Sequence, residues 1–285
     1  MTVTIELQDE LLLFLMDKLE KKEFDLPPLP HVASQVLTLV SDPHADANTL
    51  TKLIQQDPIL TAKIFQTSNS AGWGAQRRIE SLPQAIAWLG LNTIAGTAFT
   101  LSVQSGVFNV RGYEQEVREL WNYALATGFY AKAIAELIGR NSDSAFLCGL
   151  LHAIGKPFIV HTVNHYRQSS DSPIPWTAMM VLMKDSYIEV GRQLAEAWKF
   201  PFAVKEAISR HEDHAIHLTT SPTKGAIITS LARHFASHLL KQETLTLDAL
   251  HTLSSFKALN FPEESIDTML DMKPAIQTQV ESMLT

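Results

Sequence analysis

Cysteine is almost absent from this sequence. Cys148 is the only one in 285 residues, which excludes an intrachain disulfide and fits a reducing compartment. No apolar run approaches the ~20 residues that a membrane span needs. The N-terminal candidate, Leu11–Met16, is short, is flanked by charges and lacks the basic-then-apolar order of a secretory leader. Excess positive charge is also missing: the formal net charge is −7, so no basic surface for nucleic acid is expected. Gly72–Gly74 has neither the longer glycine spacing nor the Lys-Ser/Thr pair that cradle phosphate. No serine sits in a G-x-S-x-G nucleophile elbow. These absences predict a soluble cytoplasmic protein with no membrane insertion, nucleic acid being an unlikely partner, and with neither P-loop nor elbow-serine chemistry.

What is present is helix. Apolar residues make up 46% and charged residues 19%, a globular balance with enough chain for one large domain or two packed lobes. Leu11, Leu12, Phe14, Leu15 and Leu19 form one helical stripe, and Val32, Val36, Leu37, Leu39 and Val40 another. Asp57-Pro58 is an N-cap followed by a proline at the first helical position. Ser81 with Gln84 three residues on is a capping box, and Gly90 is a helix stop. Trp73 is expected to anchor in the core. Further helices are predicted over Glu114–Ile138, Ser144–Ile154, Phe158–Gln168, Trp176–Met183, Tyr187–Trp198, Ala203–His211, Ser221–Leu240, Leu247–Leu259 and Pro262–Met283. No convincing alternating strand occurs, so the fold class is all-α. Ser105–Gly112 is the best boundary between lobes, dividing the chain into an N-terminal lobe (1–108), a second lobe (109–240) and a C-terminal extension (241–285).

The stretch Ser144–Pro157, SAFLCGLLHAIGKP, carries the chemistry. It reads as an apolar helix that delivers His152 and breaks at Gly155 and Pro157. Cys148, inside it, reads as a small core residue rather than a reactive thiol.

Several motifs then agree on one resemblance. LPPLPHVASQVLTLVSDP, TKLIQQDPILTAKIFQTSNSAGWG and SLPQAIAWLGL resemble the first half of the HDOD family; AFLCGLLHAIGKPFIV and VGRQLAEAWKFPFAVKEAISRHE resemble its HD-like half. The match covers roughly residues 20–240. It implies a helical fold related to HD-superfamily phosphohydrolases, preceded by a helical lobe. It also implies a signalling or regulatory role, commonly bacterial, and many members lack the metal-binding set.

Metal-dependent phosphoester hydrolysis needs dications to neutralise phosphate and generate hydroxide. In this sequence the family's ligand positions fall on other residues. The first histidine position meets Tyr123, the His-Asp pair meets His152-Ala153, and a later histidine position meets Tyr187. The paired histidines meet His211-Glu212, and the late aspartate meets Arg233. Two negative ligands are lost and a positive charge is gained, which opposes a dication. The resemblance with these replacements implies a non-catalytic module that binds a protein partner in a signalling pathway, or a small ligand, and needs no cofactor. The alternative is a phosphohydrolase with an altered set, His152, His211 and His214, holding Mn, Fe, Ni or Zn. If the fold follows the family, His152, Lys156, His211 and Arg233 converge, with Tyr123 and Tyr187, around a vestigial site that could hold an anion or nucleotide phosphate. The competing expectation is that Arg233 pairs with a nearby acid or points outward.

Three histidine groups stand apart. His211, His214 and His217, with Glu212 and Asp213, could ligate zinc or nickel, but read more simply as a polar helix end. His161/His165 and His234/His238 are i,i+4 pairs with no carboxylate nearby in sequence, and read as solvated or singly hydrogen-bonded. Gln76–Arg78 reads as a solvated basic loop.

Overall fold

In the computed structural model, residues 2–21, 29–40, 42, 44–74, 78–106, 110–166, 174–212, 223–242 and 244–284 are described, and every regular element among them is helical. The all-α class is thus observed. Helix α1 (Thr2–Lys21) is followed by α2 (His31–Val40), α3 (Ala47–Gln55) and α4 (Pro58–Ser68). A 3₁₀ turn (Ala71–Trp73) leads to α5 (Leu82–Leu89) and α6 (Leu91–Gly106). Then come α7 (Glu114–Leu137), α8 (Ser142–Leu151), α9 (Gly155–Tyr166), α10 (Trp176–Ala197), α11 (Phe202–Arg210) and α12 (Lys224–Leu239). The chain closes with α13 (Leu247–Thr252), α14 (Ser254–Leu259), α15 (Ser265–Asp271) and α16 (Lys273–Leu284).

The local signals act as their chemistry requires. Asp57 accepts from the backbone N–H groups of Ile59 and Leu60, with Pro58 opening α4. Ser81 and Gln84 form the reciprocal capping box of α5, and Gly90 takes φ 90° to end it. Trp73 is half-buried and meets Phe129 edge-on at 5.3 Å between ring centroids.

Four boundaries differ from the sequence expectation. The break after the apolar helix falls on His152–Ile154, and Gly155 opens α9. Pro157 lies in the first turn of α9, where its missing N–H would have had no helical partner. The segment Ser142–Tyr166 therefore contains an 18-residue window of mean hydropathy 1.4, long and apolar enough to cross a membrane by composition, yet 83% of that window is buried inside the protein. A predicted pair of helices around Lys184–Ser186 is the single helix α10, since neither glycine nor proline stands at that stretch to break it. Conversely, Leu253 is extended and splits α13 from α14. Met272 separates α15 from α16, whose first turn holds Pro274.

The buried apolar side chains form one continuous cluster. Its axis is the pair α7–α8, flanked by α6, α11 and α12. A Cβ on Gly149 would lie 2.7 Å from the Gly128 Cα and the Thr127 carbonyl oxygen, so α7 and α8 touch backbone to backbone. The same kind of contact joins α9 to α10: a Cβ on Gly155 would overlap the Tyr187 carbonyl and lie 2.8 Å from the Gly191 nitrogen. These two approaches draw the start of α9, the end of α8 and the middle of α10 together. At the C-terminus, α16 packs on α4 and α7, fixed by Thr67 donating to the Ser282 carbonyl (3.2 Å) and Arg118 to the Leu284 carbonyl (2.8 Å).

Candidate functional site

Six residues singled out in the sequence meet in one place. Tyr123 comes from α7, His152 from the end of α8 and Lys156 from the first turn of α9; Tyr187 comes from α10, His211 from the end of α11 and Arg233 from α12. The His152 and His211 rings stand edge to face with centroids 4.8 Å apart. Tyr123 is 5.6 Å from the His152 ring, and Tyr187 is 5.6 Å from that of His211. His214, with Asp213 and His217, lies outside the described residues, as do Gln76 and Arg77.

Hydrogen bonds fix both imidazoles. Nδ1 of His152 donates to the Gly149 carbonyl at 2.6 Å, and Nδ1 of His211 donates to the Ala207 carbonyl at 2.8 Å. A neutral His211 with its proton on Nδ1 presents a lone pair at Nε2. The Tyr187 hydroxyl lies 2.8 Å from that Nε2 and also donates to the Glu212 carboxylate, so one proton serves two acceptors. Burial depresses both histidines, His152 helped by His211 and His211 by Arg233; each is held as the neutral base.

Arg233 closes the site. Its Nη1 pairs with Glu212 at 3.2 Å and donates to the His211 carbonyl at 3.2 Å, while Nε donates to the Tyr123 hydroxyl at 3.2 Å. Arg233 thus meets an acid, although Glu212 is not local to it in sequence. Burial alone would raise the Glu212 carboxyl, but Arg233, the Tyr187 hydroxyl and His211 outweigh it and hold the group well below the usual carboxylate range. Lys156 is different. Its ammonium rests over the Tyr187 ring at 4.8 Å and the Tyr123 ring at 5.5 Å, and no carboxylate among the described residues comes within ion-pair distance. Burial, with Arg233 beside it, pulls its pKa down to about 8.

Above these groups opens a cavity of about 900 Å³, with Lys156, Arg233, Glu212, Tyr123 and Tyr187 at its base. Its walls include Leu120 of α7 and Trp176, Met180 and Met183 of α10. Sequence reasoning missed Glu212 as the partner of both Tyr187 and Arg233, although it directly follows His211. It also missed the wall, for which a signal existed: Trp176, Met180, Met183 and Tyr187 recur at helical spacing.

The remaining candidates stay apart from this centre. Cys148 is buried and its thiol is pushed up to about 12, the character of a core residue. His161 and His165 have ring centroids 6.4 Å apart. Nδ1 of His238 accepts from the Leu245 backbone N–H at 3.2 Å.

The family model for the HDOD domain matches residues 26–214, two thirds of the sequence. The chain belongs to the HDOD family. An uncharacterized protein of Treponema pallidum (strain Nichols) is 26% identical over 199 residues, covering 66% of this chain and 38% of its own length; the chain thus spans well under half of that relative. Among solved structures, an HDOD domain protein of unknown function from Geobacter sulfurreducens aligns over 98% of this chain and 99% of its own, with 24% identity and a TM-score of 0.71. A protein provisionally described as a metal-dependent phosphohydrolase, from Shewanella amazonensis SB2B, aligns over 96% and 99%, with 21% identity and a TM-score of 0.72. Both likenesses concern the HDOD fold.

HD-type folds imply divalent metals, and the donors here fit one poorly. Both His152 and His211 donate Nδ1–H to backbone carbonyls, which leaves Nε2 as the coordinating atom of each, but Nε2 of His211 is already taken by the Tyr187 hydroxyl. Ala153 offers no ligand beside His152, and the Arg233 guanidinium is ion-paired with the nearest carboxylate. No group of three or more His, Cys, Asp or Glu among the described residues is arranged to hold a metal ion.

Proposed function

We propose that this HDOD chain is a non-catalytic regulatory module, whose site receives a small ligand and whose helical surface passes the state of that site to a protein partner. The Arg233–Glu212 pair, 3.2 Å apart, carries the reading. A guanidinium held by the site's carboxylate and by the Tyr123 hydroxyl stabilises, without a dication, the negative charge that a metal would otherwise neutralise. A solved HDOD-fold relative from Marinobacter aquaeolei VT8, 22% identical over 95% of this chain and 61% of its own with a TM-score of 0.69, bears a provisional description as a signal transduction protein, which supports a regulatory role.

The experiment is metal analysis of the purified protein together with phosphoester turnover. The expected result is Mn, Fe, Ni and Zn well below stoichiometry and no turnover on adding them. Stoichiometric metal with chelator-sensitive hydrolysis would replace this reading with the phosphohydrolase one.

A further inference from the structure

The cavity has a definite shape and polarity. It is a groove between the N-terminal halves of α7 and α10, whose starts are tied by the Tyr113 hydroxyl donating to the Ile174 carbonyl at 2.7 Å. From Tyr187 back to Trp176 is eleven residues of one helix, about 16 Å of groove at ~1.5 Å per residue. Its volume of about 900 Å³ is that of a site for a small organic molecule rather than an ion alone.

Charge is unevenly distributed along it. At the base stand two cations, Lys156 and Arg233, against one anion, Glu212, which leaves one positive charge. Lys156 is the member without a counter-ion among the described residues. Its position, half out of water on two tyrosine rings, is costly unless an anion completes it. Among the described residues the lining also holds Glu116 and Glu119 of α7 and Lys184 of α10, which together add one net negative charge away from that base triad. Two such carboxylates in the lining disfavour a molecule with several negative charges and admit one whose single charge reaches Lys156. From the base outward along α10 the apolar wall is Met183, Met180 and Trp176, a surface of flat and adaptable apolar groups.

We propose that the groove binds a small organic monoanion with a flat apolar body, its acid group at Lys156 and its body against Trp176, Met180 and Met183. The proposal rests on the reading of a non-catalytic ligand site, and specifies its ligand as a monoanion rather than a polyphosphate.

The test is isothermal titration of the full chain with three probes that share one ring system: naphthalenesulfonate, naphthalenetrisulfonate and naphthalenemethanol. The monosulfonate is expected to bind with unit stoichiometry, at least about tenfold tighter than the alcohol or the trisulfonate, as one charged contact would give. Lys156→Met should lower monosulfonate affinity by about the same factor and leave the alcohol unchanged. Independently of any variant, affinity for the monosulfonate should fall as pH rises through about 8, where Lys156 loses its proton. Equal affinity for the three probes, or monosulfonate binding insensitive both to Lys156→Met and to pH between 7 and 10, overturns the proposal. Metal content and phosphoester turnover measured on the same sample separate the two failures. Metal with turnover defeats the non-catalytic reading; a metal-free, inactive protein with charge-blind binding defeats the monoanion alone.

Discussion

The Tyr187 hydroxyl sits 2.8 Å from Nε2 of His211 while also donating to Glu212, so it joins a fully buried imidazole to the carboxylate that holds Arg233. Tyr187→Phe keeps the ring under Lys156 and removes only that junction. It leaves a buried Nε2 and a partly buried carboxylate without their shared donor, a loss of about 1–3 kcal/mol. Tyr123→Phe removes a hydroxyl whose hydrogen-bond partner among the described residues is Arg233, at the cavity, and should cost about 0.5–1.5 kcal/mol. Urea unfolding of both variants checks the difference; equal losses would mean that the hydroxyl does not hold His211.

The two depressed histidines make stability pH-dependent. Each has a folded pKa below its unfolded value of about 6.5, so the unfolded chain takes up protons that the folded chain refuses as pH falls below that value. Stability is therefore complete above pH ~7 and declines on acidification, by up to about 1.4 kcal/mol per pH unit for each histidine. Glu212, with its own depressed pKa, adds a further loss only below about pH 4.5. Unfolding curves from pH 7.5 to 4.5 should show the slope, and His152→Asn should flatten it. A profile equally flat in the parent protein would place the histidines in water.

How much of this was legible depended on the range of the interaction. Asp57, Ser81 with Gln84, and Gly90 were readable because a cap is decided within four residues. The convergence of Tyr123, His152, Lys156, Tyr187, His211 and Arg233 was readable only through the spacing of a known pattern, since nothing local brings α7 to α12. Glu212 was visible as a residue but not as a partner: its role needs Arg233, which reaches it only when α11 and α12 pack. The misplaced helix breaks have a similar cause. Gly155 suggested a stop, yet its lack of a side chain serves the close approach to α10. The intervening Lys184–Ser186 looked like an interruption because it is itself polar, whereas the helix continues through it with Lys184 along the groove, Asp185 exposed and Ser186 buried.

That close approach gives a sharp comparison. Gly155→Ala would drive a methyl group into the Tyr187 carbonyl and toward the Gly191 nitrogen, backbone atoms that cannot step aside without separating α9 from α10. A loss of about 3 kcal/mol or more is expected, at the upper end for overpacking. Gly191→Ala meets the Ile208 Cγ2 at 3.0 Å, a side-chain atom that must give by only a few tenths of an ångström rather than backbone, and gains some helix propensity. Its net effect should stay within about 1.5 kcal/mol. Thermal unfolding of the pair reads the contrast. A harmless Gly155→Ala would show that the two helices are not in backbone contact.

Ala153 is the position where a single change comes nearest to reversing the site's chemistry. It is buried beside His152, and an aspartate there would restore a negative charge at the family's His-Asp pair. Lys156 and Arg233 are the cations at the base of this site, and both are already in place. Ion pairing with Lys156 needs no dehydration of a dication and no displacement of the Tyr187 hydroxyl from Nε2 of His211, so the new carboxylate should neutralise the lysine rather than recruit metal. Two outcomes follow for Ala153→Asp. Titration with Mn²⁺ or Zn²⁺ should still show no stoichiometric site, and monosulfonate binding should weaken about as much as in Lys156→Met, because the base of the groove no longer carries net positive charge. Metal binding would demand more: Arg233→Asp to remove the competing cation, and Tyr187→His to supply a donor in place of the hydroxyl. Stoichiometric metal in the single variant would show that Tyr123, Tyr187 and Arg233 do not stand where ligands once did.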